Sequence, residues 1–399
     1  MKPCHICQSS EVVQLLDLGK QPISNRFLQS QQEKEATYPI VVNQCLTCGT
    51  VQINDPIPAT EITPPYDWIT YREPEAHLDS LADTLSKLPG ITTNSVIGGI
   101  SYKDDPLLER MEKRGFSHLW RIEPQQDLAI KNPRAGIEII QEKITFESAK
   151  NIIKTYSKAD ILIVRHILEH AHNLIEFMGA LGELLTPEGY IIFEVPDCEL
   201  SLRLCDYTTI WEEHLVYFTP ETFRNCFGFG GFSLVHFDLF PYPFENSLIG
   251  IGKRQKSQKT WSTSDNLKQE RQRGILFSQG LEKRRDHLEK FLAKHQQEQG
   301  KIALLGAGHL CCAFVTFLQL QDYFEFVIDD NPNKQGLFMP GSRLPIYPST
   351  ALLEQDIKLC LLSLSPDSET KVVQKNQEFV EKGGTFASIF PASQLALQL

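Results

Sequence analysis

Apolar residues along this chain recur with a different period in each of three regions. In the first sixty residues they form short alternating runs. Val12 to Leu18 alternates as a strand does, and Val41-Val42 and Val51-Gln52-Ile53 are two further strand fragments. A proline- and aromatic-rich connection follows, from Asn54 to Pro74, with Pro64, Pro65, Tyr66, Trp68 and Tyr71 within it. From Glu75 to Leu88 the period becomes helical, and apolar strands then alternate with helices. Ser95-Val96-Ile97 is a strand leading into a turn at Gly98-Gly99, and a helix runs through Leu107, Leu108 and Met111. His118 to Ile122 is a strand ending at Glu123-Pro124, and Ala159 to Val164 is one closed by Arg165-His166. Leu174 to Leu185 reads as an amphipathic helix, and Tyr190 to Val195 as a strand ending at Pro196-Asp197. Such alternation calls for a parallel, doubly wound sheet, with ligands at the carboxyl ends of its strands.

Residues 256 to 299 are polar and charged, with a narrow stripe of Leu281, Leu288, Phe291 and Leu292; the pattern predicts a solvated connecting helix. A second α/β unit follows. Lys301 to Leu305 is a strand, Gly306-Ala307-Gly308 a glycine turn, Leu310 to Leu320 a helix, and Phe324 to Ile328 and Leu359 to Leu364 are strands. A glycine turn between strand and helix suits a phosphate, although Cys311 stands where a full dinucleotide fingerprint has its third glycine. The predicted organisation is α/β: a small module over 1–60, a doubly wound domain over 75–255, a helical connection over 256–299 and a Rossmann-like domain over 300–399.

Composition narrows the class. Hydrophobic residues make up 41% and charged residues 22% of the 399, as in soluble globular proteins. A formal charge of −11 argues against nucleic acid and against anionic membranes as partners. No apolar run follows the first residues and none approaches the length of a membrane span, so a cytoplasmic protein is expected. Four of the ten cysteines form two CxxC pairs, Cys4 with Cys7 and Cys45 with Cys48. Each pair turns both sulfurs toward one centre, and two pairs complete a tetrahedron for zinc. A filled four-cysteine site keeps no open position, so the metal is expected to be structural.

The order of parts resembles the sugar C-methyltransferases of deoxysugar biosynthesis. The resemblance rests on the two cysteine pairs, on Pro22-Ile-Ser-Asn25 with Phe27, and on Ile122-Glu-Pro124. It continues in Arg165-His-Ile-Leu-Glu-His170, Phe193-Glu-Val-Pro-Asp197, Ile210-Trp-Glu-Glu-His214 with Tyr217-Phe-Thr-Pro220, and Asp330-Asn-Pro-Asn-Lys-Gln-Gly336. It implies S-adenosylmethionine bound by the central domain and a nucleotide-linked keto-sugar held between the two α/β domains. His214 matches the family's base and Glu213 a neighbouring carboxylate that could orient it, while His170 matches a position near the substrate. Gly98, Gly99, Glu123 and Arg165 fall at cofactor positions, and Tyr66, Trp211, Gly306 and Lys334 at substrate positions. His166 and His172 read as a strand cap and a helix start.

The sequence also departs from that family. Where an acidic residue and a glycine-rich turn are expected, it reads Val96-Ile-Gly-Gly-Ile-Ser-Tyr-Lys-Asp-Asp105. Trp211 replaces a tyrosine and Glu212 a histidine, and an indole offers only an N–H donor. Two readings therefore stand: a divergent methyltransferase, or a sugar-nucleotide binding protein or cofactor-free acid–base enzyme that keeps the fold. The sequence does not specify the sugar, the nucleotide, the carbon or the oligomeric state.

Overall fold

The computed structural model describes residues 2–66, 68–69, 73–255 and 264–398. Tyr71 and the first residues of the 256–299 connection lie outside these.

The N-terminal module is an antiparallel sheet of β1 (Val12–Pro22), β2 (Thr37–Cys45) and β3 (Val51–Ile53). The long spacer between the cysteine pairs is thus consumed by the β1–β2 hairpin. Val12, Leu16 and Leu18 point inward, which is the alternation that the sequence carries. A fourth strand, β8 (Val216–Tyr217), comes from the middle of the chain and pairs with β3, Val51 opposite Tyr217. The stretch from 210 to 217 is thereby fastened to the cysteine module.

The central sheet has the order β5-β4-β6-β7-β10-β9. The strands β4 (Val96–Gly99), β5 (His118–Arg121), β6 (Ala159–Arg165) and β7 (Leu185–Pro196) are parallel. The expected all-parallel sheet is corrected at one edge, where β9 (Phe232–Phe240) and β10 (Ser247–Arg254) run antiparallel. Ile249 and Ile251 of β10 are buried on one face, whereas Gly250 and Gly252 on the other admit the Phe227 ring. A second correction concerns Gly98 and Gly99, which end β4 and do not form the turn after it. The Trp120 ring lies where a Cβ on Gly98 would stand, so this glycine serves close packing between strands.

The helix Ser264–Glu298 is longer and better packed than a solvated connection. Phe277, Leu281, Leu288 and Leu292 are all buried, and Phe277 accepts a hydrogen bond of 2.6 Å from Tyr207 through its carbonyl. Near its start the Glu270 carbonyl accepts from Gln44 Nε2 of the cysteine module at 2.8 Å. A narrow apolar stripe suffices because the helix is a strut crossed by all three other parts.

The C-terminal sheet is wholly parallel, in the order β13-β12-β11-β14-β15. It comprises β11 (Lys301–Leu305), β12 (Val327–Ile328), β13 (Ile346–Tyr347), β14 (Ile357–Leu362) and β15 (Thr385–Ser388). The β1–β2 hairpin clasps this domain through Leu28–Phe338 backbone bonds and an Arg343–Glu35 ion pair of 3.0 Å. No helix among the described residues is long and apolar enough to cross a membrane.

Candidate active site

The sulfurs of Cys4, Cys7, Cys45 and Cys48 all lie within 4.8 Å of one another. The Cys4–Cys48 and Cys7–Cys45 separations are 3.6 and 3.5 Å. Sulfurs about 2.3 Å from one tetrahedral zinc stand about 3.8 Å apart, so the donor set fits zinc. His5 is not among the ligands; its Nε2 meets the Ile53 carbonyl at 2.9 Å.

Beside this module lies a cavity of about 910 Å³, walled by the proline-rich connection and by both α/β domains. Pro64 and Tyr66 of the proline-rich connection form one wall, and His309 and Leu310 of the C-terminal domain another. Its floor carries the stretch from Trp211 to His214. The Pro22-to-Asn25 segment holds that stretch: Ser24 donates to Glu212 Oε1 through its amide at 2.7 Å and its hydroxyl at 2.8 Å. Asn25 Nδ2 reaches Glu213 Oε1 at 3.3 Å. Glu212 and Glu213 are both buried, not solvated. The Trp211 indole N–H donates to Ser24 Oγ at 3.2 Å, and its ring stacks on His309.

His214 packs edge-on against His170, ring centroids 4.6 Å apart. Burial, followed by the charge of His309, pushes the His214 imidazole down to about 3, so it is neutral with a free lone pair near pH 7. The carboxylate sharing space with both rings is Glu169, within 4.8 Å of each. Glu213, the sequence neighbour expected to orient His214, instead faces Glu138 and His170. Burial raises the carboxyl groups of both Glu138 and Glu213.

His166 does not merely cap a strand. It has a left-handed φ of 48° at the end of β6, and its ring lines the cavity. Burial opposes its charge, but Glu73 and Glu194 outweigh that and raise it to about 10. Glu73 is in turn lowered to about 2: His166 and Lys103 overcome the cost of its burial. Lys103 pairs with Glu73 at the cavity wall. Glu73, Glu138 and Glu169 were not singled out as site residues, because only the fold brings their three segments to one cavity.

The residues expected at the cofactor do not line this cavity. Arg165 is 1% exposed; its Nε meets Glu194 Oε2 at 2.5 Å and its Nη1 the Lys103 carbonyl. It is a buried tie under the β4 turn, with no face turned to the cavity. Gly98, Gly99 and Glu123 do not line the cavity either. Glu123, half exposed at the carboxyl end of β5, pairs with Arg121 at 2.8 Å. The amides of Ile100 and Ser101 donate to Asp104 Oδ2 at 2.6 and 2.8 Å, so the chain itself fills the anion seat of this turn. In the C-terminal domain Lys334 bonds the Ala307 carbonyl and Asp329 Oδ2, at 2.6 and 2.7 Å. Gly306 and Lys334 therefore close their own turn, and His309 and Leu310 beyond it face the cavity.

Three family models match successive parts of the chain. A zinc binding domain matches residues 4–62, a methyltransferase domain 100–237 and a C-methyltransferase C-terminal domain 249–391. The chain thus resembles a methyltransferase through its middle and a C-methyltransferase through its C-terminal part. It is 22% identical over 402 residues to C-methyltransferase NovU of Streptomyces niveus, covering 97% of this chain and 95% of that protein. Among solved structures, magnesium protoporphyrin IX methyltransferase of Synechocystis with bound S-adenosylhomocysteine shares 13% identity at a TM-score of 0.31. The match covers 45% of this chain and 83% of that one. The 1,6-didemethyltoxoflavin-N1-methyltransferase of Burkholderia thailandensis shares 11% identity at a TM-score of 0.31, covering 46% and 80%. The methyltransferase-domain match implies S-adenosylmethionine as cofactor, and the residues present fit it in part. Glu123 retains an exposed carboxylate at the carboxyl end of β5, where ribose hydroxyls are bound in such sheets. The turn amides expected at the methionine end are taken by Asp104.

Proposed function

We propose that the chain transfers a methyl group from S-adenosylmethionine to a carbon of a nucleotide-linked keto-sugar, through an enolate. The observation that carries this reading is neutral His214 against His170 and Glu169, on the floor of a cavity walled by both α/β domains. Carbon alkylation needs a base for the C–H beside the ketone, a partner for the enolate oxygen, and fixed positions for both reactants. His214 accepts that proton. The negative charge then developing beside it favours the imidazolium, which lifts the base when it is needed.

Glu123 would hold the ribose of the cofactor. Lys103 and His166 would meet the methionine carboxylate, and Glu73 its ammonium, in place of the glycine amides. When bound, the cofactor supplies an electrophilic methyl group. Trp211 cannot stand in for a phenol here, because its N–H is directed to Ser24. The enolate oxygen falls to the groups around His170. Tyr66 and Trp211 line the cavity and would offer apolar ring surface to the sugar, and the His309–Phe317 helix, which lacks a side-chain cap, begins at the cavity wall, where it would face the diphosphate.

One observation favours a second reading, in which the chain binds the sugar nucleotide and moves its proton without methyl transfer. It is the occupation of the Ile100 and Ser101 amides by Asp104. A nucleoside-diphosphate keto-sugar incubated in deuterated water tests the shared part. Exchange beside the ketone is expected, falling about 100-fold or more in His214→Gln. Unchanged exchange in that variant would remove His214 from the chemistry.

A further inference from the structure

Among the described residues no lysine or arginine pairs within 4 Å with Glu138 or Glu213, and Lys103 acts on both only from farther off. The one ion-pair neighbour of Glu138 within 4 Å among the described residues is His170 Nδ1, at 3.6 Å, and burial together with His214 and Lys103 keeps that ring neutral. Both carboxyls are buried, 5% and 3% exposed, and so is His170 at 3%. Two acids cannot both ionise in such a place without a counter-charge. One carboxylate oxygen from each and one ring nitrogen of His170 lie within 4.8 Å of one another.

A second observation points to a ligand. His170 Nδ1 has no hydrogen-bond partner, nor has Oε2 of the neighbouring Glu169, although both atoms are buried and both residues line the cavity. Orphaned polar atoms of this kind are rare and mark a missing partner. A neutral imidazole with an unused lone pair, set between two carboxyls, is a donor set for a divalent cation.

We propose that Glu138, His170 and Glu213 form a second metal site, for a divalent first-row ion such as Mn²⁺, on the cavity floor. It is chemically distinct from the four-cysteine site, which has soft thiolate donors and no open position. Ligand atoms about 2.1 Å from a shared ion stand about 3.0 to 4.2 Å apart, so small side-chain rotations close the present spacing. Three protein ligands leave positions open toward the cavity. Resting on the methyl-transfer reading, the ion would take the ketone oxygen of the substrate in the place that a phenol would otherwise serve. His214 removes the neighbouring proton, and the C–H electron pair becomes the enolate, its charge held by oxygen on the ion. The carbon then bonds to the sulfonium methyl, the S–CH₃ pair stays on sulfur, and the ketone is restored.

The test uses the full chain with its cysteine site filled with zinc, titrated with Mn²⁺ and followed by loss of the free-ion electron paramagnetic resonance signal. One Mn²⁺ per chain is expected, bound more tightly as pH rises because the carboxyls must lose their protons. Glu213→Gln and Glu138→Gln should each weaken it about 100-fold, with zinc content unchanged; His170→Gln, which keeps a similar volume, is the companion if either fails to fold. No saturable binding at millimolar Mn²⁺, or binding equal in all three variants, would overturn the proposal. Because no substrate or cofactor is present, this result is independent of whether methyl transfer occurs.

Discussion

The indole of Trp211 lies flat on the imidazole of His309, ring centroids 4.3 Å apart and planes 15° from parallel. Trp211 belongs to the central domain and His309 opens the first helix of the C-terminal domain, so this stack seals the two across the cavity. Aromatic pairs contribute about 0.5–1.5 kcal/mol beyond their buried area. A double-mutant cycle of Trp211→Ala and His309→Ala, read by urea denaturation, should return a coupling of about 1 kcal/mol. Strict additivity would mean that the stack is incidental.

Zinc should act on the reaction only through the sheet. Pairing of Val51 with Tyr217 joins the cysteine module to the segment that carries His214. Chelation of zinc, or Cys48→Ser, is expected to raise amide hydrogen exchange over residues 212–217 while β4 to β7 stay protected. Unchanged exchange at 212–217 would show that the strand pairing does not need the metal.

The pH dependence of kcat/KM should carry no acid limb from His214 between about pH 5 and about pH 7. With its imidazole lowered to about 3, His214 is already unprotonated through that range. A limb near the ordinary histidine value that disappears in His214→Gln would contradict the neutral state described here.

Stability has the opposite dependence at His166. Its value rises on folding from 6.5 to about 10, so its stabilising effect is complete below the unfolded value. That effect is lost as pH rises through about 10. Denaturation midpoints should fall from neutral to alkaline pH, and less steeply in His166→Gln. Its partner Glu73, lowered from 4.5 to about 2, acts in the other direction, stabilising above 4.5 and ceasing to do so as pH falls through about 2.

The sequence announces local features and conceals the long-range ones. Cys4, Cys7, Cys45 and Cys48 are legible because two residues between cysteines impose the turn. The strands β4 to β7 and β11 to β14 are legible because each has a short apolar stretch bounded by turn residues, apart from the brief β13. Gly98-Gly99 reads as a turn because only the Trp120 ring, a strand away, explains why a strand would end in glycine. Glu73, Glu138 and Glu169 come from segments 31 to 96 residues apart, and nothing local marks any of them as facing one cavity. Glu213 was legible as a site residue, but its partner was not. Side chains adjacent in sequence diverge, and Glu213 meets Glu138 while His214 meets Glu169. The strand β10 escaped because Gly250 and Gly252 interrupt its apolar character.

The central claim is carbon methylation dependent on S-adenosylmethionine. The most direct test incubates the chain with S-adenosylmethionine carrying an isotopically labelled methyl group and a nucleoside-diphosphate keto-sugar, and follows the label by nuclear magnetic resonance. A labelled methyl bonded to the carbon beside the ketone, absent in His214→Gln, is the predicted result. Label remaining on the cofactor while that carbon exchanges its proton with solvent, or label arriving on oxygen, would contradict the account.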